Sequence, residues 1–157
     1  MRLTKFIFFL ILLISTSACS SIDTIAILND TQAPLRLEYT FKRRSSDDRW
    51  LRKHLNRLAT VASDKAGEAH CPWASLSPTQ YTYDPATQKV SVEVPPATAV
   101  RIAELSNYVE TDDGAAQQFP IASVTIDGAQ GVIHYEGEQA RQQFKNLKRS
   151  LHAIDYR

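Results

Sequence analysis

His70 and Cys71 stand side by side in the stretch Glu68-Ala69-His70-Cys71-Pro72-Trp73. A thiol beside an imidazole has the ingredients of a nucleophile and its base. Neighbours in sequence rarely present both side chains to one substrate, however, and catalytic sets are assembled across a fold. No catalytic-cysteine signature surrounds the pair. Cys71 therefore reads first as a small buried apolar residue, with Trp73 pinning its loop to the core. His134, within Val132 to Tyr135, has no identifiable serine or acid partner and reads as structural. Glu110, Asp112 and Asp113 carry the carboxylates a calcium site needs but lack the EF-hand spacing, so they read as a turn. The cysteine and the scattered histidines make no metal-ligand spacing, and no cofactor is implied.

The strongest local charge feature is basic. Lys42-Arg43-Arg44 precedes a stretch whose cations Arg49, Arg52, Lys53 and Arg57 fall on one helical face. Three readings stand. The face is the solvated side of a core-packed helix. It lies on anionic lipid headgroups, at up to about 1 kcal/mol per cation. Or it meets an acidic protein partner.

The N-terminus bears on that choice. Arg2 and Lys5 are followed by an unbroken apolar run from Phe6 to Ile14, then Ser15-Thr16-Ser17-Ala18-Cys19. At about 1.5 Å per residue the run covers roughly 14 Å, about half of a bilayer's hydrocarbon core. It is too short for a permanent span and suits a signal-peptide core. A charged start, a short apolar run and small residues ending in Cys resemble the signal sequence and lipobox of bacterial lipoproteins. The resemblance covers the leader alone. It implies cleavage before Cys19, a diacylglyceryl group on its thiol and an acylated amino group. Stable anchoring takes roughly two chains, so this anchor would be permanent. Lipoproteins of the enteric type are held at the inner membrane by Asp after the Cys. Ser20 stands there here, which implies the outer membrane, facing the periplasm. Ordinary secretion with cleavage at the same bond is the alternative. It would leave Cys19 free and permit a Cys19–Cys71 disulfide.

Removing residues 1–18 from the 157 leaves 139, one ordinary domain spanning 19–157. Arg2 and Lys5 leave with the leader, so 16 of the 18 Lys and Arg face 17 Asp and Glu. That balance argues against a nucleic-acid binder, which would show a strong basic excess.

The elements follow from periodicity. Ile22 to Leu28 is a mostly apolar strand beginning almost at Cys19. Leu35, Leu37, Tyr39 and Phe41 alternate with polar residues, a second strand that would pair with the first as a hairpin. Ser45-Ser46-Asp47-Asp48 opens a helix whose apolar stripe runs Leu51, Leu55, Leu58, Ala62, with Gly67 as its stop. Tyr81–Tyr83 and Val90–Val94 flank Asp84-Pro85-Ala86-Thr87-Gln88 as a hairpin, and Val100 to Leu105 is a further strand. Phe119 to Ile126 and Val132 to Tyr135 flank the turn Asp127-Gly128-Ala129-Gln130-Gly131. Ala140, Phe144, Leu147 and Leu151 repeat the helical step after Gly137, and Ile154 with Tyr156 adds a terminal strand.

Hairpins without βαβ alternation predict an α+β fold, an antiparallel sheet of about seven short strands with two amphipathic helices. An immunoglobulin- or transthyretin-like β-sandwich with helical insertions is the alternative. The function expected is that of an outer-membrane-anchored, non-enzymatic binding or assembly module of the bacterial envelope. Its partners are membrane lipid, through the acyl anchor, and an envelope protein. A small hydrolase using His70, Cys71 or His134, and a binder of lipid or cell-wall fragments, are the other two readings.

Overall fold

The computed structural model describes residues 22–42, 48–68, 70–106, 119–148 and 150–157. Among them are eleven strands: β1 (Ile22–Asn29), β2 (Leu35–Phe41), β3 (Ala59–Ala62), β4 (Ala74–Ser75), β5 (Tyr81–Asp84), β6 (Lys89–Val94), β7 (Thr98–Ser106), β8 (Ile121–Gly128), β9 (Gly131–Glu136), β10 (Lys145–Lys148) and β11 (Leu151–Tyr156). Two short helices, α1 (Asp48–Leu55) and α2 (Gly137–Gln143), and a 3-10 turn at Ser63–Lys65 complete the set.

The strands form two sheets. One has six strands in the order β10-β11-β1-β7-β3-β4, and the other five in the order β5-β6-β2-β8-β9. Every pairing is antiparallel except β1 with β11, which run parallel from Thr24–Leu151 to Asn29–Tyr156. Period-two patterning selects the buried face. Leu35, Leu37, Tyr39 and Phe41 on β2 are all buried, as are Val90, Val92 and Val94 on β6. They meet Ile25 and Ile27 of β1 and Val100 and Ile102 of β7 in one core between the sheets. Each such side chain contributes about 1.5–3 kcal/mol of burial.

The outer face of the six-stranded sheet is covered too. Ala26, Leu28, Ala99, Leu151 and Ala153 point outward and form a second cluster with Ala66, Val61 and Trp73. Three alanines in that face let Ala66 and Trp73 lie close on the sheet. This explains why β1 reads as a nearly continuous apolar run: it is buried on both sides.

At one end of the sandwich the fully buried Asn29 ties the layers together. Its two amide hydrogens are shared among the carbonyls of Ala33, Val94 and Pro95 at 2.9, 2.9 and 3.0 Å. Its Oδ1 accepts from the Thr31 backbone N–H at 3.1 Å and hydroxyl at 2.7 Å. The β1–β2 crossover and the end of β6 are thereby held by one side chain.

The single seven-stranded sheet with two amphipathic helices is overturned: two packed sheets take its place, and the helices shrink to 8 and 7 residues. β1 and β2 are not a hairpin but lie in different sheets. The first predicted helix ends at Leu55. Ala59–Ala62, expected on its stripe, is a strand between β7 and β4, where Thr60 and Val61 have the branching that strands favour. Gly67 (φ +80°) turns the chain after the 3-10 turn rather than capping a long helix. The second predicted helix ends at Gln143, and Leu147 and Leu151 sit on β10 and β11. In both helices a four-three-four apolar step coincides with a strand that needs only alternate burial. The hairpins β5–β6 and β8–β9 and the terminal strand are found. The turn expected at Glu110, Asp112 and Asp113 lies outside the described residues.

Three variants, compared by urea unfolding, test the roles of Asn29 and Tyr39. Asn29→Ala would strand several buried carbonyls and cost about 3 kcal/mol in urea unfolding. Asn29→Asp, isosteric but without the donors, would cost at least as much. Tyr39 Oη is buried with no hydrogen-bond partner among the described residues, and burial holds its hydroxyl far above the usual tyrosine range. Tyr39→Phe therefore leaves stability unchanged or raises it by about 1 kcal/mol.

Candidate functional site

The end of the sandwich opposite Asn29 gathers the features singled out in the sequence. β1 begins there at Ile22, opposite Ser106 of β7, and Thr24 lies opposite Glu104. β2 starts beside Asn29, with Leu35 facing Val94, and runs to Phe41 at this same end before the chain enters α1. α1 packs Leu51, Leu55 and the buried His54 onto the core, with the His54 ring 5.7 Å from that of Phe41. Arg52 and Lys53 occupy the outward side and are exposed. Basic residues in the last turn of a helix also suit the negative end of its dipole.

Arg57 does not join them. Its guanidinium turns inward to the Glu104 carboxylate, and Arg101 binds the same carboxylate at 2.5 Å. Arg101 Nε also donates to the Arg57 carbonyl at 3.0 Å, and its guanidinium lies 5.3 Å from the Trp73 ring centre. Glu104 thus bridges two cations on the outer face of the six-stranded sheet. It locks the residue just after α1 to the level of Thr24. Of the cations expected at a surface, Arg49, Arg52, Lys53 and Arg57, the last is half-buried and held in an ion pair. Arg49 lies on α1, and its side chain is outside the described set. Lys42, at the end of β2, holds its ammonium 5.8 Å from the Phe119 ring centre.

Beside this cluster is a hollow of about 520 Å³ walled by Ile22, Thr24, His70, Cys71, Trp73 and Arg101. His70 and Cys71 do share it. Burial pushes the Cys71 thiol up, the opposite of the depressed value that marks a nucleophilic cysteine. His134 lies on β9 of the other sheet, with Nδ1 2.8 Å from Thr125 Oγ1. The three residues proposed for a hydrolase therefore form no common site. No group of three metal-ligating side chains occurs among the described residues. Cys71 is free there.

Sequence reasoning missed Glu104 and Arg101. The signal was their spacing of three on a strand, which ordinarily sends side chains to opposite faces. A register shift between Ile25 and Ala26 in the β1–β7 ladder lets them meet.

Glu104→Gln would leave the two guanidinium groups facing each other without their anion. The expected loss is about 2 kcal/mol, discounted for the partial exposure of Arg57, and partly recovered in 0.5 M salt, as urea midpoints would show.

Compared with protein-family models, with curated proteins and with solved structures, the chain finds no match.

Proposed function

We propose that this protein is an outer-membrane-anchored lipoprotein, a non-enzymatic binding and assembly module of the bacterial envelope whose domain sits on the bilayer through the end that carries α1. The observation carrying this reading is the coincidence of two features at one end of the sandwich. β1 starts at Ile22, three residues after Cys19, and the exposed Arg52 and Lys53 of α1 lie at that same end. Three residues reach at most about 10 Å. An acyl anchor on Cys19 would hold this end, and not the Asn29 end, against the headgroups. The chains supply the affinity at about 0.8 kcal/mol per CH₂, and the cations orient the domain at up to about 1 kcal/mol each. The Asn29 end and the flanks of both sheets are left to face the periplasm.

Mass spectrometry of the mature N-terminus should find Cys19 carrying the diacylglyceryl and amide-linked acyl groups, and denatured protein should titrate as one thiol per chain. An unmodified Cys19 or a Cys19–Cys71 disulfide overturns the anchor. For the seating, the unacylated chain from Ser20 should partition onto vesicles rich in phosphatidylglycerol. Arg52→Gln and Lys53→Gln should each weaken that about 5-fold, and 0.5 M salt should abolish it. Partitioning indifferent to lipid charge and salt would show that α1 does not face the bilayer.

A further inference from the structure

The sandwich has a groove along one flank. There β9 ends the smaller sheet and β10 ends the larger. Between them runs a groove of about 370 Å³ floored by Ile126, Ile133, Tyr135, Leu147, Ile154 and Tyr156. β9 has no Pro, no Lys and no bulge in its ladder with β8, its one charged residue is Glu136 at its end, and Val132 is 66% exposed. β10 is exposed throughout, with Leu147 and Lys145 both lining the groove. Asp155 and Arg157 also line the groove and pair with each other at 2.5 Å, while Lys145 has no ion pair among the described residues, so the groove's lining carries one cation in excess.

We infer that this groove takes one extended strand from another protein, added to the β9 edge, with apolar residues at alternate positions and an acidic side chain facing inward to Lys145. Main-chain hydrogen bonds to β9 would supply the affinity and the alternate side chains the specificity. Inward apolar residues would cover Ile133, Tyr135 and Leu147. An acid on the other face would meet Glu136, which follows Tyr135 on β9 and points away from the groove. The acidic position is therefore fixed to the inward face. A second copy of this chain fits poorly. β9 against β9 would pair antiparallel and would turn the partner's Cys19 end away from the shared membrane. That exclusion rests on the proposed anchoring. The groove chemistry does not.

The test uses the protein purified from membranes in detergent, without a bilayer, and two fluorescein-labelled ten-residue peptides of alternating Val and Thr. The peptides differ in carrying Glu or Lys at one central inward position. Fluorescence anisotropy should show the Glu peptide binding about 5- to 10-fold more tightly. Lys145→Glu should reverse the preference, and Leu147→Asp should remove binding of both, while Arg52→Gln and Lys53→Gln leave it unchanged. Equal affinities for the two peptides, or binding untouched by both groove variants, overturns the inference. So does a dimer in sedimentation that Leu147→Asp dissolves, since the occupant would then be a second copy. Failure of the vesicle experiment leaves this affinity intact, and failure here leaves the seating intact.

Discussion

The Asn29 side chain is the constraint on which the sandwich depends. Two sheets that share no hydrogen-bonded strand must be joined by connections, and connections are where register is lost. Asn29 closes the last position of β1, fixes the turn to β2 through Thr31 and Ala33, and grips the end of β6 through Val94 and Pro95. Its Nδ2 and Oδ1 are used together, a pattern neither Asp nor Leu can reproduce. Once Asn29 is set, β1 and β2 leave it in opposite layers, and their far ends arrive together at the other end of the molecule. The Glu104 carboxylate does the corresponding work there, holding Arg57 and Arg101 in one cluster. One fully buried amide and one largely buried carboxylate hold the two ends of the sandwich.

The strands with clean alternation were legible in the sequence. Leu35 to Phe41 and Val90 to Val94 needed only the period-two rule, and the turns at Asp84–Gln88 and Gly128–Gly131 needed only turn chemistry. The long helices were not legible, for a physical reason. Leu58 and Ala62 extend a helical stripe from Leu51 and Leu55, and an isolated helix of that length would be favourable locally. Tertiary pairing outweighs it: Ala59 to Ala62 completes ladders with β7 and β4. The same holds for Lys145–Lys148, whose partner β11 lies just beyond a reversal at Ser150 (φ +67°), a conformation that serine rarely adopts and that periodicity does not register. Pairing between strands distant in sequence also hid the two-sheet division, because β1 pairs with β11 and β7, not with its neighbour β2.

The candidate site shows the same division. The basic character of the stretch after Phe41 was plain, and Arg52 and Lys53 are exposed as a cationic face requires. Whether a particular cation is free depends on what the fold brings to it. Arg57 meets a carboxylate 47 residues away, at a point where a ladder irregularity turns Glu104 and Arg101 to the same side. Cys71 met its surroundings in a comparable way. The sequence put it beside His70, whereas its thiol is governed by burial in the segment lying on Ala26, Ala99 and Ala153.

Strand direction links the two proposals. β1 covers about 23 Å from Ile22 to Asn29 at the usual rise per residue. β9 runs the same way as β2, from the Asn29 end toward the end where β1 begins, because each is antiparallel to β8. With the Cys19 end at the headgroups, the β9 edge would stand along the membrane normal and present its whole length to the periplasm. A strand delivered by a neighbour in the same membrane could then enter from either direction. A second copy anchored through its own Cys19 would have only one direction available to it. The shortness of the link between Cys19 and Ile22 is what makes the distinction: a long flexible tether would let a copy invert, and three residues do not.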